Sequence, residues 1–167
     1  MPVGIGDSRM LADDLLFLRE AIQLAEQAGR KGNLPIGAVI VLDGQIVGKG
    51  MNAIWQPTRE LTRHAEMEAL RSLPAHLRGR CKEMTLFTTL EPCLMCAGAI
   101  LLHQIGRLVF GSLDPYGGVA ACLGALPPYF AHEFSLVEWV GPALPAQCDP
   151  LYSRIQELEQ RQSPDSG

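Results

Sequence analysis

Asp43-Gly44 lies between two strand-like runs, the near-continuous aliphatic stretch Ile36 to Leu42 and the stretch Gln45 to Lys49. Asp-Gly favours the positive backbone angles of a two-residue turn, so these segments predict a β-hairpin. Ahead of the hairpin, Leu15, Leu18, Ala21, Ile22, Ala25 and Ala28 recur at helical spacing, while Arg19, Glu20, Gln23 and Glu26 take the other side. Leu11 to Gly29 is therefore predicted as an amphipathic helix, broken by Gly32 and Asn33. Asn52 to Leu61, with Pro57, reads as a loop, and Thr62 to Leu73 as a helix with Thr62 as its N-cap. Further along come a strand at Met84 to Thr89 and a helix from Pro92 to His103 with Pro92 near its first turn. Strands at Leu108 to Gly111 and Ser135 to Val140 and a final amphipathic helix from Pro150 to Gln160 complete the pattern. Helices alternating with strands after an initial hairpin predict a layered α/β domain.

The Gly- and Pro-rich stretch Asp114 to Pro128 is expected to be a loop with at most a short helix, of the kind that often contributes to a site. Pro127, Pro128, Tyr129 and Phe130 form an apolar cluster suited to core or interface. With 167 residues the chain has room for one core. The expected division is an N-terminal extension over 1–10, one domain over 11–160 and a frayed polar tail over 161–167. No basic-then-apolar leader and no bilayer-length apolar run are read, so no membrane partner and a cytoplasmic location are expected. Five cysteines, an odd number, fit reduced thiols or metal ligands better than disulfides. A net charge of −4 gives no general attraction to polyanions, although a local basic patch is compatible with it.

His64-Ala65-Glu66 and Pro92-Cys93-Leu94-Met95-Cys96 carry the chemistry. Two cysteines three apart in the first turn of a helix point to the same side, and helix N-terminal amides favour thiolate. His64, from the start of another predicted helix, makes a third ligand. Zinc prefers four, so a position stays open for water, as in a catalytic site. Glu66 stays within the helical turn of His64 but points away from the ligand direction, so it reaches that water without ligating the metal. A carboxylate there can take a proton and return it to a ring nitrogen and a leaving amine. Alone, the Cys pair also fits a redox couple or a structural knot; H-x-E together with P-C-x-x-C is the pattern of zinc nucleobase deaminases. Cys81, Cys122 and Cys148 read as core or boundary residues, and His76, His103 and His132 have no partner motif.

At these residues the chain resembles the cytidine deaminase superfamily, and within it the branch of bacterial tRNA adenosine deaminases and related nucleoside or base deaminases. The resemblance runs from about Leu15 to Leu123 and is carried by Leu34 to Val41, Arg63 to Glu66, Thr89 to Ile100, Val109-Phe110-Gly111, Asp114 and Gly117-Gly118. It implies a three-layer α/β/α fold, a central five-stranded mixed sheet with helices on both faces, zinc at two helix N-termini and a homodimer. It further implies that Asn52 contacts the base or ribose, the Ala65 N–H the base edge, and Asp114 the nucleotide sugar.

Three departures bear on substrate. Glu60-Leu61-Thr62-Arg63 replaces the Asp-Pro-Thr-Ala usual in tRNA deaminases, Tyr116 stands where a lysine is typical, and Tyr152 to Gln160 offers only Arg154 as a cation. Fewer cations weaken phosphate binding. The expectation is therefore a deaminase of a free base or nucleoside, an amino-purine ranking first, with tRNA not favoured as a partner. A tRNA wobble adenosine deaminase ranks second and a non-catalytic zinc-stabilised interaction module third. Arg63 is read first as a solvated helix-face residue and second as a contact to a substrate oxygen or phosphate.

Overall fold

In a computed structural model, residues 9–162 are described. The expected extension lies outside them except for its last two residues, as does the tail beyond 162. The helix α1 spans Asp14–Arg30, and β1 (Gly37–Leu42) and β2 (Gln45–Met51) follow. Asp43 and Gly44, at φ 52° and 73°, make the two-residue turn that Asp-Gly predicts. Next come α2 (Ala65–Ser72), β3 (Thr85–Leu90), α3 (Leu94–Leu102), β4 (Arg107–Ser112), α4 (Pro128–Leu136), β5 (Glu138–Val140) and α5 (Pro145–Gln162).

The five strands form one mixed sheet in the order β2-β1-β3-β4-β5. The pairs β1/β2 and β1/β3 are antiparallel, whereas β3/β4 and β4/β5 are parallel. A central strand covered on both faces needs apolar residues at every position, which accounts for the unbroken run in β1. Its alternate residues feed two clusters. Ala38, Ile40 and Leu42 join Ala69, Leu70, Ile100 and Phe134 of α2, α3 and α4, whereas Val39 and Val41 join Leu18 of α1.

Close approach fixes where α2 sits. A Cβ on Gly50 would come within 2.1 Å of the Ala65 carbonyl, so only glycine lets β2 carry the first turn of α2. On the far side, Arg107 of β4 holds Asp14 of α1 at 2.7 and 2.8 Å and donates to the Arg9 carbonyl, so the end of the expected extension is tied to the domain.

Several boundaries differ from expectation. Thr62 does not cap α2; its hydroxyl donates to Glu60, the chain turns at Arg63 N–H to Glu60 O, and His64 is the N-cap. Pro92 likewise precedes the N-cap of α3, which is Cys93. Ser135 and Leu136 belong to α4, a helix not expected, opened by Pro128 at its N-terminus and closed before a strand of three residues. A 3-10 segment at Ala75–Glu83 has no counterpart in the sequence pattern, whereas the one at Val119–Ala125 is the short helix allowed for within the Gly- and Pro-rich stretch. The last helix begins at Pro145 and carries Pro150 inside it, and residues 161 and 162, expected to fray, are helical. Buried Cys148, packed on Gly111 of β4, secures the turn before Pro150. Among the described residues no helix is long and apolar enough to cross a membrane.

Candidate metal centre and active site

The N-termini of α2 and α3 meet on the same side of the sheet, bringing His64 together with Cys93 and Cys96. His64 Nδ1 lies 3.6 Å from the Cys93 Sγ and 3.5 Å from that of Cys96. Tetrahedral zinc at ordinary Zn–S and Zn–N bond lengths separates such atoms by about 3.6 Å. The three residues thus fit the ion without rearrangement. Electrostatics agree: the Cys96 thiol and then His64 pull the Cys93 thiol down to about 4, despite its burial. His64 is raised in turn, chiefly by Cys93, and the Cys96 thiol is pushed up by Cys93 and by burial. The N-termini of α2 and α3 add positive potential that favours thiolate at this cluster.

Glu66 is 3% exposed at the second position of α2. Its Oε1 accepts the Thr88 hydroxyl at 2.8 Å and its Oε2 the Cys96 thiol at 3.4 Å. Burial raises its pKa above the ordinary carboxylate value, which suits a group that must take up and release a proton.

His64, Glu66, Cys93 and Asp114 line a cavity of about 280 Å³. Asp114 is half-buried, and its Oδ1 accepts the Tyr116 and Gly117 amides and the Tyr152 hydroxyl at 3.0 to 3.1 Å. It therefore shapes its own loop at the cavity wall. Ala65 is buried, and as the first residue of α2 its N–H has no intrahelical acceptor. Asn52 is not among the cavity residues but is two positions from one, Ile54, whose amide its Oδ1 accepts at 3.3 Å. The Asn52 Nδ2 is buried without a partner among the described residues. Arg63 is not merely solvated: it pairs with Glu68 at 2.9 Å. Tyr116 is 92% exposed, and His76, His103 and His132 lie on the surface. Cys81 and Cys148 are buried and Cys122 is half-buried, as expected.

Three contributors escaped the sequence. Thr88 orients Glu66 from β3. Glu91, 3% exposed, accepts the amides of Asp114 and Ala120 and so pins the loop that carries Asp114. Helix α5 walls the cavity with Tyr152, Ile155 and Glu159; burial and the bond to Asp114 push the Tyr152 phenol up to about 12. Glu91 was visible only as the residue before Pro92, and the other two are brought in by tertiary contact alone.

Residues 11–112 match the model of the cytidine and deoxycytidylate deaminase zinc-binding region. A tRNA-specific adenosine deaminase of Bacillus subtilis is 37% identical over 90% of this chain and 94% of its own. That of Aquifex aeolicus is 38% identical over 74% and 81% respectively. A solved structure from work on A-to-I editing by tRNA:A34 deaminases, 36% identical, superposes with a TM-score of 0.63 over 70% of this chain and 92% of that one. A guanine deaminase from Nitrosomonas europaea, 20% identical with a TM-score of 0.67 over 93% and 94%, shares the fold. These relatives overturn the expectation of a free base or nucleoside as substrate and of tRNA as a disfavoured partner. That expectation rested on net charge and on three local departures, the loop Glu60 to Arg63, Tyr116 and the segment Tyr152 to Gln160, none of which measures where the cations gather. The fold, the clustering of His64, Cys93 and Cys96, and the sequence agree that the chain belongs to the cytidine and deoxycytidylate deaminase family, as a zinc-dependent hydrolase of C–N bonds in cyclic amidines.

Proposed function

We propose that this protein deaminates adenosine to inosine at the wobble position of a tRNA. The observation that carries the reading is the 37% identity to a tRNA-specific adenosine deaminase across nearly the full length of both chains. Bound zinc acidifies water and so supplies a nucleophile at neutral pH. His64, Cys93 and Cys96 hold it. Glu66, fixed by Thr88, takes one proton of the attacking water and delivers it to the ring nitrogen, then carries the remaining hydroxyl proton to the exocyclic amine, which leaves as ammonia as the C–N bond breaks and the carbonyl forms. The Ala65 N–H and Asn52 Nδ2, donors without acceptors of their own, hold the base or ribose, and Asp114 holds the sugar. The wall provided by α5 keeps bulk water from the reacting atoms.

The deaminase domain in this reading spans 11–160 and acts in the cytoplasm as a homodimer. Leu94 and Leu102, 61% and 60% exposed on α3, support self-association. The test incubates zinc-loaded protein with a tRNA bearing adenosine at the first anticodon position and measures nucleosides by mass spectrometry. Inosine at that position is the expected product, and a tRNA left unchanged refutes the assignment.

A further inference from the structure

A cavity of about 510 Å³ lies apart from the metal site. It runs along the open edge of the sheet, where β2 meets α2 and the segment after α1. Lys31, Lys49, Arg63 and Arg71 line it, with Glu68 as the one carboxylate. Glu68 pairs with Arg63 at 2.9 Å and Arg71 at 2.7 Å, so a single negative charge holds two guanidiniums in fixed positions. Lys31 and Lys49 are exposed and have no carboxylate within pairing distance among the described residues. Four of the 14 Lys and Arg residues thus face one groove in a chain with 18 acidic residues. Buried Asn52, whose Nδ2 lacks a partner, stands in the same wall.

The groove is joined to the metal cavity by covalent and hydrogen-bonded neighbours. Arg63 directly precedes the ligand His64, and its carbonyl accepts the Ala53 amide at 3.0 Å. Ala53 in turn precedes Ile54 of the metal cavity. A polymer with one unit at the metal therefore has its adjoining units within reach of the groove. Net +3 in a groove on a chain of net −4 selects a polyanion, and a cationic groove that tracks a backbone is how single strands are held.

We propose that this edge groove binds the phosphate backbone of the RNA strand flanking the reacting nucleotide, with Lys31 and Lys49 neutralising phosphates and the Arg63–Glu68–Arg71 network setting their path. The proposal rests on the tRNA reading above. It is tested with zinc-loaded K31A/K49A, neither residue being part of the catalytic machinery. An anticodon stem-loop RNA carrying adenosine at the first anticodon position serves as probe. Each single-strand phosphate contact contributes about 0.7 to the slope of log affinity against log salt, so losing two should reduce the slope by about 1.4. At physiological salt KM should rise by about tenfold, with kcat and zinc content unchanged. The control R19A/K82A removes the same charge elsewhere and should keep the wild-type slope. A wild-type slope in K31A/K49A, or an equal loss in the control, overturns the groove while leaving the tRNA reading intact. A wild-type enzyme that deaminates no RNA overturns the tRNA reading, and the groove assignment falls with it.

Discussion

Glu66 combines burial, a fixed hydrogen bond and a raised pKa within reach of the metal ligands. Glu66→Gln keeps the size and the Thr88 contact but cannot accept a proton, so kcat should fall by about 10² to 10⁴-fold with zinc retained, as measured by metal analysis beside turnover. A residual rate above about a tenth of wild type would move the proton-carrying role elsewhere. The same residue sets a pH dependence in the metal-free protein. Because its folded pKa lies above the ordinary 4.5, the folded state binds the extra proton and stability declines as pH rises through that interval. Thermal melts of the metal-free Gln variant should therefore show higher stability than wild type at neutral pH, with the advantage gone below about 4.5. Cys96→Ala, by contrast, should lose both the metal and folding stability, because ligand binding and folding are coupled; full zinc occupancy in that variant would break the ligand assignment. These residues were legible because short spacings carry them: His-x-Glu and Cys-x-x-Cys each lie within one helical turn. Thr88 and Tyr152 were not, since only the packing of β3 and α5 brings them to the site.

Among the elements, the hairpin and α1 were readable from local chemistry, a turn that needs positive φ and an apolar stripe at helical period. Helix ends were less so. The turn at Arg63 displaced the start of α2 from Thr62 to His64, which puts the proposed metal ligand itself at the N-cap. Helix α4 was hidden because Gly and Pro before it suggest a loop, although Pro at a helix start is favourable. The docking of α1 on the sheet depends on a feature invisible in either segment alone: Asp14, 2% exposed, paired with Arg107, which also has Glu138 at 3.2 Å. Asp14→Ala leaves a largely buried guanidinium without its main partner and should cost about 3 to 5 kcal/mol in denaturant unfolding. A loss below about 1 kcal/mol would mean that the pair behaves as an exposed one, with Glu138 carrying the charge.

For the molecule as a whole, the fold class and the zinc chemistry followed from the sequence, whereas the partner did not. Net charge is a sum over the surface, and here it conceals four cations gathered at one sheet edge. Phosphate affinity depends on that local density, which only the folded chain displays. Substrate choice is consequently a property of the assembled surface around a site whose reaction is common to the family. The direct measurement is kcat/KM of the zinc-loaded protein on an anticodon stem-loop RNA with adenosine at its first anticodon position, compared with free adenosine under the same conditions. The account predicts ready conversion of the RNA to the inosine form with little or no turnover of the nucleoside, and free adenosine deaminated as well as the RNA would contradict it.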